Sequence, residues 1–308
     1  MIEGVSFKVE AGGIRLDAAL AMRFPTATRP FAREACEEGR VKVNGRTGSK
    51  GMKLKAGDLV EVEALAEVSD NRVTPNPLVK VRCIFEDGAI LAFDKPAGMP
   101  VQPIRRSETG TLMNGVVARW PECADVGDQP LMAGALHRID ADTSGLVLAA
   151  RTQEAFDGLR AQFAAQTVEK RYLALVEGCV AVGGTLENEL VHDPTLPFCR
   201  MVDSSRVRAK VKAAPMRAVT NFVPVAHVRE MNEERTLLEV TIFTGVTHQI
   251  RAQLAMAGMH IINDRLYGAF AIEGMTGHAL HALSARFVHP LSGEPCEIRT
   301  SMPAWALV

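Results

Sequence analysis

The chain has 308 residues, of which 47% are hydrophobic and 23% charged, with 35 Lys+Arg against 36 Asp+Glu and a formal net charge of −1. That length suits two domains, and the composition excludes a disordered or fibrous chain. The charge balance excludes a uniformly basic nucleic-acid binder.

Residues 14–24 put Leu16, Ala19, Leu20 and Phe24 on one helical face, and Pro25 ends that helix. Pro30 suits the first turn of a second helix, and Gly39 its C′ position. Val41 and Val43 then alternate with polar neighbours, and Asn44-Gly45 marks a turn. After Ala56-Gly57-Asp58, the residues Val60, Val62 and Ala64 alternate with Glu61 and Glu63. A first unit of helix, helix and short strands is predicted over residues 1–66. Residues 67–78 are polar with two prolines and read as a linker.

Residues 79–308 read as one large mixed domain. VRCIF and AILAF flank Asp87-Gly88, a hairpin signal. LMAGAL and LVLAA read as apolar strands on either side of a polar loop. Thr152 is expected to cap a helix that turns Phe156, Leu159 and Phe163 inward. KRYLALV and LLEVTIF read as strands, and Thr247 to Ala257 as a helix closed by Gly258. Hairpin-paired strands with irregularly placed helices predict the α+β class.

No apolar run reaches the roughly 18 residues that span a bilayer, and the N-terminus lacks the pattern of a secretory signal. The six cysteines form no CxxC pair. Neither zinc nor a disulfide framework is expected, no membrane association is implied, and a cytoplasmic compartment fits. There is no GxGxxG after a strand and no P-loop. His278 and His281 have metal-like spacing, but no carboxylate cluster accompanies them, so they read as structural.

Three polar patches remain. Residues 137–145, HRIDADTSG, hold two bases, two acids and two hydroxyls between apolar runs. There Asp140 is the natural nucleophile or base, and Asp142 reads as turn chemistry. In residues 244–251, Thr247 at the N-cap would place Arg251 one turn into a helix, where it is either a site residue or a surface one. Tyr172 in EKRY shares a strand face with Ala174 and Val176, which half-buried packing alone would explain.

HRIDADTSGLVLAA resembles the HRLDxxTSGLLLxA signature of RluA-type pseudouridine synthases. Four more blocks are similar to that family in the same order: DKPAGMPVQP (94–103), EKRYLALVEG (169–178), TGVTHQIRAQLAMAGMHIINDRLYG (244–268) and HALHALSARFVHPLSGE (278–294). The N-terminal unit resembles an S4 RNA-binding domain through RLD (15–17), GRVKVNG (39–45) and KAGD (55–58). Val246, Ala252-Gln253 and Gln102 depart from the family pattern, at positions that bear on substrate identity.

The resemblance implies a small S4 domain followed by a large catalytic domain on a mainly antiparallel sheet. It implies isomerisation of uridine to pseudouridine in RNA, without a cofactor, metal or obligate protein partner. Asp140 matches the catalytic aspartate, Arg251 the arginine paired with it, Arg138 the arginine that fills the gap left by a flipped base, and Tyr172 the tyrosine against the uracil. His137, Ile250 and Lys95 would line or shape the substrate position. Arg29, Arg33, Arg40, Lys42, Asn44 and Lys50 of the S4 unit would meet RNA, as would Arg206, Arg208, Lys210 and Lys212. These lie in two local basic excesses: eight Lys/Arg against three Glu in residues 29–55, and six against one Asp in residues 200–217. By analogy the substrate is large-subunit ribosomal RNA. The alternatives are tRNA, a non-catalytic S4-type assembly factor, and a nucleosidase-like hydrolase, which would want two carboxylates about 5–9.5 Å apart.

Overall fold

The structure is a computed structural model and describes residues 1–196, 200–209, 211, 213–230, 233–270 and 272–306. Two compact units divide at 72/73, inside the stretch read as a linker. Glu67 and Asp70 there hold the N-terminal ammonium at 2.8 and 2.9 Å. Val73 instead lies in the core of the second unit.

The first unit contains β1 (Ile2–Lys8), α1 (Leu16–Arg23), α2 (Arg29–Glu37), β2 (Val41–Val43), β3 (Arg46–Thr47) and β4 (Leu59–Leu65). The strands form an antiparallel sheet in the order β1-β4-β2-β3. Leu16 and Leu20 of α1, Ala32 and Ala35 of α2, and Val41, Val60 and Val62 of the sheet close one apolar core. Gly39 takes φ 75° after α2, and Asn44-Gly45 turns β2 into β3 with φ 51° and 74°.

The second unit contains β5 (Cys83–Glu86), β6 (Ile90–Lys95), α3 (Leu112–Arg119), β7 (Ser144–Ala150), α4 (Gln153–Ala164), β8 (Glu169–Glu177), β9 (Gly184–His192), β10 (Met201–Asp203), β11 (Met216–Glu230), β12 (Glu233–Ile242), α5 (Gln249–Met256), β13 (Leu280–Val288) and β14 (Pro295–Arg299). Among the described residues these strands form one ten-stranded sheet, ordered β10-β9-β11-β12-β8-β13-β7-β6-β5, with β14 on β13. The pairings are antiparallel except β7 with β13, which meet in parallel at Ser144–His281 and Gly145–Ala282. Gly145 makes that crossing possible: its φ is 106°, and a Cβ there would run into the Ala282 carbonyl. The class is α+β, as the hairpin pattern predicts.

Two local expectations are corrected. LMAGAL is a run of turns that touches β7 only through the Ala135–Ala149 bridge. Ala133 and Gly134 take φ 48° and 83°, and Gly134 sits against the Ala150 carbonyl, so no ladder can form. The last long helix starts at Gln249, not Thr247, with His248 at the N-cap in the left-handed region (φ 51°) and no side-chain cap. The Gln249 side chain takes over the loop. Its Oε1 accepts from Thr244 Oγ1 at 2.9 Å and from the Val246 amide at 3.2 Å. Thr152 does cap α4, accepting from the Ala155 amide at 3.2 Å.

Candidate active site

Residues 137–143 lead into β7 at the parallel crossing, and they are fixed from three directions. At the start, His137 Nε2 accepts the Leu148 amide at 3.1 Å. That bond requires an unprotonated Nε2, and burial with the nearby Lys170 charge pushes the imidazole pKa down to about 3. At the end, Thr143 Oγ1 and Ser144 Oγ meet His278 Nε2 and His281 Nδ1, each at 2.8 Å. From below, Lys95 Nζ donates to the carbonyls of Pro96, Met99 and Ala141 at 2.9, 2.7 and 2.9 Å. The loop is thus built as firmly as a strand, and Asp140 stands on it with its side chain 25% exposed.

Arg251, one turn into α5, crosses to this carboxylate. Its Nη1 donates to Asp140 Oδ2 at 2.7 Å. Its Nε and Nη2 donate to Asp264 Oδ2 and Oδ1 at 2.7 and 2.9 Å, a two-pronged contact with an acid that is 2% exposed. Burial alone would pull the guanidinium pKa down, but the bonds to Asp264 and the Asp140 charge outweigh it and hold it above the usual range. Burial would raise Asp264, and Arg251 reverses that to a net lowering.

His248 and Tyr267 complete the cluster. His248 Nε2 lies 3.7 Å from Asp140 Oδ1, and its Nδ1 is 3.2 Å from the Tyr267 hydroxyl. The Tyr267 ring has Arg251 over it at 5.2 Å and Arg200 at 5.6 Å. Its hydroxyl also accepts the Met201 amide at 2.8 Å, which ties the β9–β10 hairpin to the site.

The expected site residues fall into distinct positions. Asp140 and Arg251 are in direct contact. Tyr172 on β8 is buried, and its hydroxyl pKa is raised by that burial and further by the Asp140 charge, so it shares the same neighbourhood. Ile250 is buried beside Arg251 in α5. Arg138 is exposed and makes no hydrogen bond or ion pair among the described residues. Lys95 has no exposure, and its three donors are all taken by carbonyls, so it shapes the loop. His137 is likewise committed to the backbone of β7.

In the first unit, Arg15, Arg29 and Arg33 converge on Asp17, a fully buried acid at the start of α1, with closest approaches of 3.1, 3.3 and 3.0 Å. Burial would raise the Asp17 pKa, but the three guanidiniums hold it well below the carboxylate range. Arg40 pairs with Glu38 and Lys50 with Glu37. The exposed Asn44 donates its side-chain amide to Asp58 and accepts from the Leu59 amide, both at 2.9 Å, and so builds the turn. Lys42 is exposed, with no partner among the described residues. Arg206 and Arg208 are exposed, while Lys210 and Lys212 lie outside the described residues.

The departures from the family pattern are also placed. Val246 packs in a small apolar cluster with Tyr267 and Ala252. Gln253 Nε2 donates to Leu186 O, Asn188 Oδ1 and Ala218 O at 3.0–3.2 Å, locking α5 onto β9 and β11. Gln102 is half-buried. Sequence reasoning did not single out Asp264, His248 or Tyr267, although all three lie inside the quoted 244–268 block.

Residues 89–256 match the family described as RNA pseudouridylate synthase, and residues 14–60 match the S4 domain. The chain is 33% identical over 306 residues to ribosomal large subunit pseudouridine synthase D of Xanthomonas campestris pv. campestris, covering 95% of this chain and 86% of that protein. It is 31% identical to the protein of the same name from Xylella fastidiosa, covering 95% and 87%. The human RNA pseudouridylate synthase domain containing 1 structure superposes with a TM-score of 0.59 at 21% identity, over 75% of this chain and 87% of that one, a likeness of fold. This chain therefore belongs to the RNA pseudouridylate synthase family and is a pseudouridine synthase carrying an N-terminal S4 domain.

Proposed function

We propose that the protein isomerises specific uridines of large-subunit ribosomal RNA, with Asp140 as the carboxylate that reacts at the ribose. The observation that carries this is the asymmetry of the acid cluster. Asp264 is 2% exposed and saturated by Arg251, whereas Asp140 gives one oxygen to Arg251 and keeps a quarter of its side chain open. The names of the relatives from Xanthomonas and Xylella and the S4 unit support ribosomal RNA as the substrate.

The chemistry breaks the uracil N1–C1′ bond, turns the base, and joins C5 to C1′. It needs one carboxylate at the ribose and shelter from water. Arg251 fixes the orientation of Asp140 and offsets the desolvation that a bound base imposes. The target base must leave its stack, which costs a few kcal/mol. Arg138, exposed beside Asp140, fills the gap and meets phosphate. The Tyr172 ring takes the uracil face, and such stacking is worth about 1–3 kcal/mol per base.

The test is tritium release from large-subunit ribosomal RNA labelled at uridine C5. Wild type should release it and Asp140→Asn should not. Release by Asp140→Asn removes Asp140 from its role. Free uracil would signal a hydrolase. Tight binding by wild type with no modified base would signal an assembly factor. Modification of tRNA alone would move the substrate. Carbodiimide primer extension on RNA from a deletion strain then maps the position.

A further inference from the structure

Arg251 lies between two acids of opposite character. Asp264, on the turn after α5, is buried and takes two of its donors, while Asp140, on the loop before β7, is open and takes one. A guanidinium held by one carboxylate alone would turn its full charge on Asp140 and close it into a tight ion pair, with its lone pairs drawn toward the cation. With Asp264 in place, that charge is already answered on the far side.

The other groups facing Asp140 sharpen the balance. Lys95, at the end of β6, and Arg251 are the buried cations, Arg138 in the Asp140 loop is an exposed one, and Asp142 and Asp264 are the anions. The two buried cations are matched by the two acids. His248 at the start of α5, His278 before β13, Tyr172 on β8 and Tyr267 after Asp264 also feel or touch the Asp140 charge. Burial keeps the two tyrosines protonated and disfavours charging of the two histidines. Without Asp264 the buried Arg251 charge would be answered by Asp140 alone.

We infer that Asp264 is a positioning residue for the isomerisation: it fixes the Arg251 fork and draws off its charge, so that Asp140 is oriented by Arg251 without being quenched by it. This rests on Asp140 being the reacting carboxylate. Asp264 touches no substrate and acts only through Arg251. The second acid is therefore what allows a buried arginine to sit beside a reactive carboxylate.

The experiment is single-turnover tritium release from C5-labelled ribosomal RNA by the full chain. Each rate is read after a pH jump from neutral, across the acid limb, for wild type, Asp264→Asn, Asp264→Glu and Asp140→Asn. In Asp264→Asn the unanswered Arg251 charge stabilises ionised Asp140. The acid limb should move down by roughly one pH unit, and the plateau rate should fall about threefold to tenfold with the weaker base. RNA affinity should stay within about twofold. Asp264→Glu keeps the charge, so its acid limb should stay at the wild-type position. A lowered plateau in Asp264→Asn with an unmoved limb would mean a merely structural role and would overturn the inference. If Asp264→Asn does not fold, Asp264→Glu carries the test: an unmoved limb supports the inference and a shifted one overturns it. Activity in Asp140→Asn would instead overturn the reading of Asp140 on which the inference stands.

Discussion

The ammonium of Lys95 donates to the carbonyl of Ala141 at 2.9 Å, one residue beyond Asp140. Gly98 N donates to the same oxygen at 2.9 Å, so the strand-to-loop corner of 95–99 and the Asp140 loop share one acceptor. Burial drives the Lys95 pKa down to about 8 even though Asp140 and Asp142 oppose the shift, which shows how far this cation lies from solvent. A charged side chain is kept at such a place because it satisfies three carbonyls at once.

Lys95→Met removes those donors at nearly constant volume. The Ala141 carbonyl keeps Gly98, but those of Pro96 and Met99 lose their partner. Pro96 is exposed and Met99 half-buried, so these carbonyls can turn partly to water, and the loss of two bonds costs about 1–3 kcal/mol. Urea unfolding of the variant should show that loss. Its single-turnover rate should drop about tenfold or more, because a carboxylate misplaced by a fraction of an ångström reacts poorly, while RNA affinity holds. Wild-type stability in Lys95→Met would mean that the carbonyls are satisfied in another way.

Tyr172 and Arg138 separate by what each is asked to do. The Tyr172 hydroxyl makes no hydrogen bond among the described residues. If its ring supplies stacking, Tyr172→Phe should keep turnover within about threefold, whereas Tyr172→Leu should lose roughly tenfold or more. Arg138 is exposed and unpaired among the described residues, so Arg138→Ala should leave the melting temperature unmoved. Its effect should appear in single-turnover rates on folded RNA and shrink on substrates whose target base is already unpaired. An equal loss on both substrates would argue against a gap-filling role.

How much of this was legible in the sequence depends on whether the deciding contact is local. The helices around Leu16 and Ala32, the β5–β6 hairpin and the capped helix after Thr152 follow from periodicity, turn residues and caps, which are local signals. β1 is hidden in the sequence because Gly4, at φ 62°, breaks the alternation between Ile2 and Val5. β9 is hidden because Thr185, Glu187 and Glu189 are exposed and most of the strand carries no apolar run. In the site, Asp140 and Arg251 stood in motifs. Asp264 did not stand out, since an acid in a turn is ordinary until the fold sets it 2.7 Å from a buried guanidinium. Lys95 reads in the sequence as a residue that shapes the site, but the three carbonyls it binds come from separate segments and are visible only in the fold.

The S4 unit gives a prediction that the global charge conceals. Lys50 and Arg40 each form an ion pair within the unit, whereas Lys42, opposite Glu61 of β4, forms none among the described residues. Lys42→Ala should therefore reduce the slope of log affinity against log salt by about 0.7–0.9, the value of one phosphate contact. Lys50→Ala should reduce it by less, because Glu37 already neutralises part of the Lys50 charge and fewer counterions are released when it meets a phosphate. Filter binding of ribosomal RNA over a salt series measures both. Equal slopes in wild type and Lys42→Ala would mean that this face does not grip RNA.

Four histidines of the second unit, His278 and His281 buried and His137 and His248 half-buried, have lowered pKa values and make it sensitive to mild acid. Burial depresses the imidazole pKa to about 3 in His137 and to about 4 in His278 and His281. His281 is held at both nitrogens, by Ser144 and Thr300 at 2.8 Å each. A folded pKa below the ordinary value of 6.5 means that the unfolded chain binds protons the fold refuses. Stability is therefore full above pH about 6.5 and falls as pH drops from there toward 4, by at most about 1.4 kcal/mol per pH unit for each histidine. Asp17 and Asp264, whose pKa values are lowered, pull in the same direction, but only near and below their ordinary value of 3.8, so the interval between 4.5 and 6.5 isolates the imidazoles. Urea midpoints for the second unit should fall steadily from pH 7 to pH 5, and His281→Gln should flatten that dependence by roughly a quarter to a third. A midpoint that stays level from pH 7 to pH 5 would mean that these imidazoles accept protons inside the fold, against the hydrogen bonds that require at least one bare nitrogen at His137.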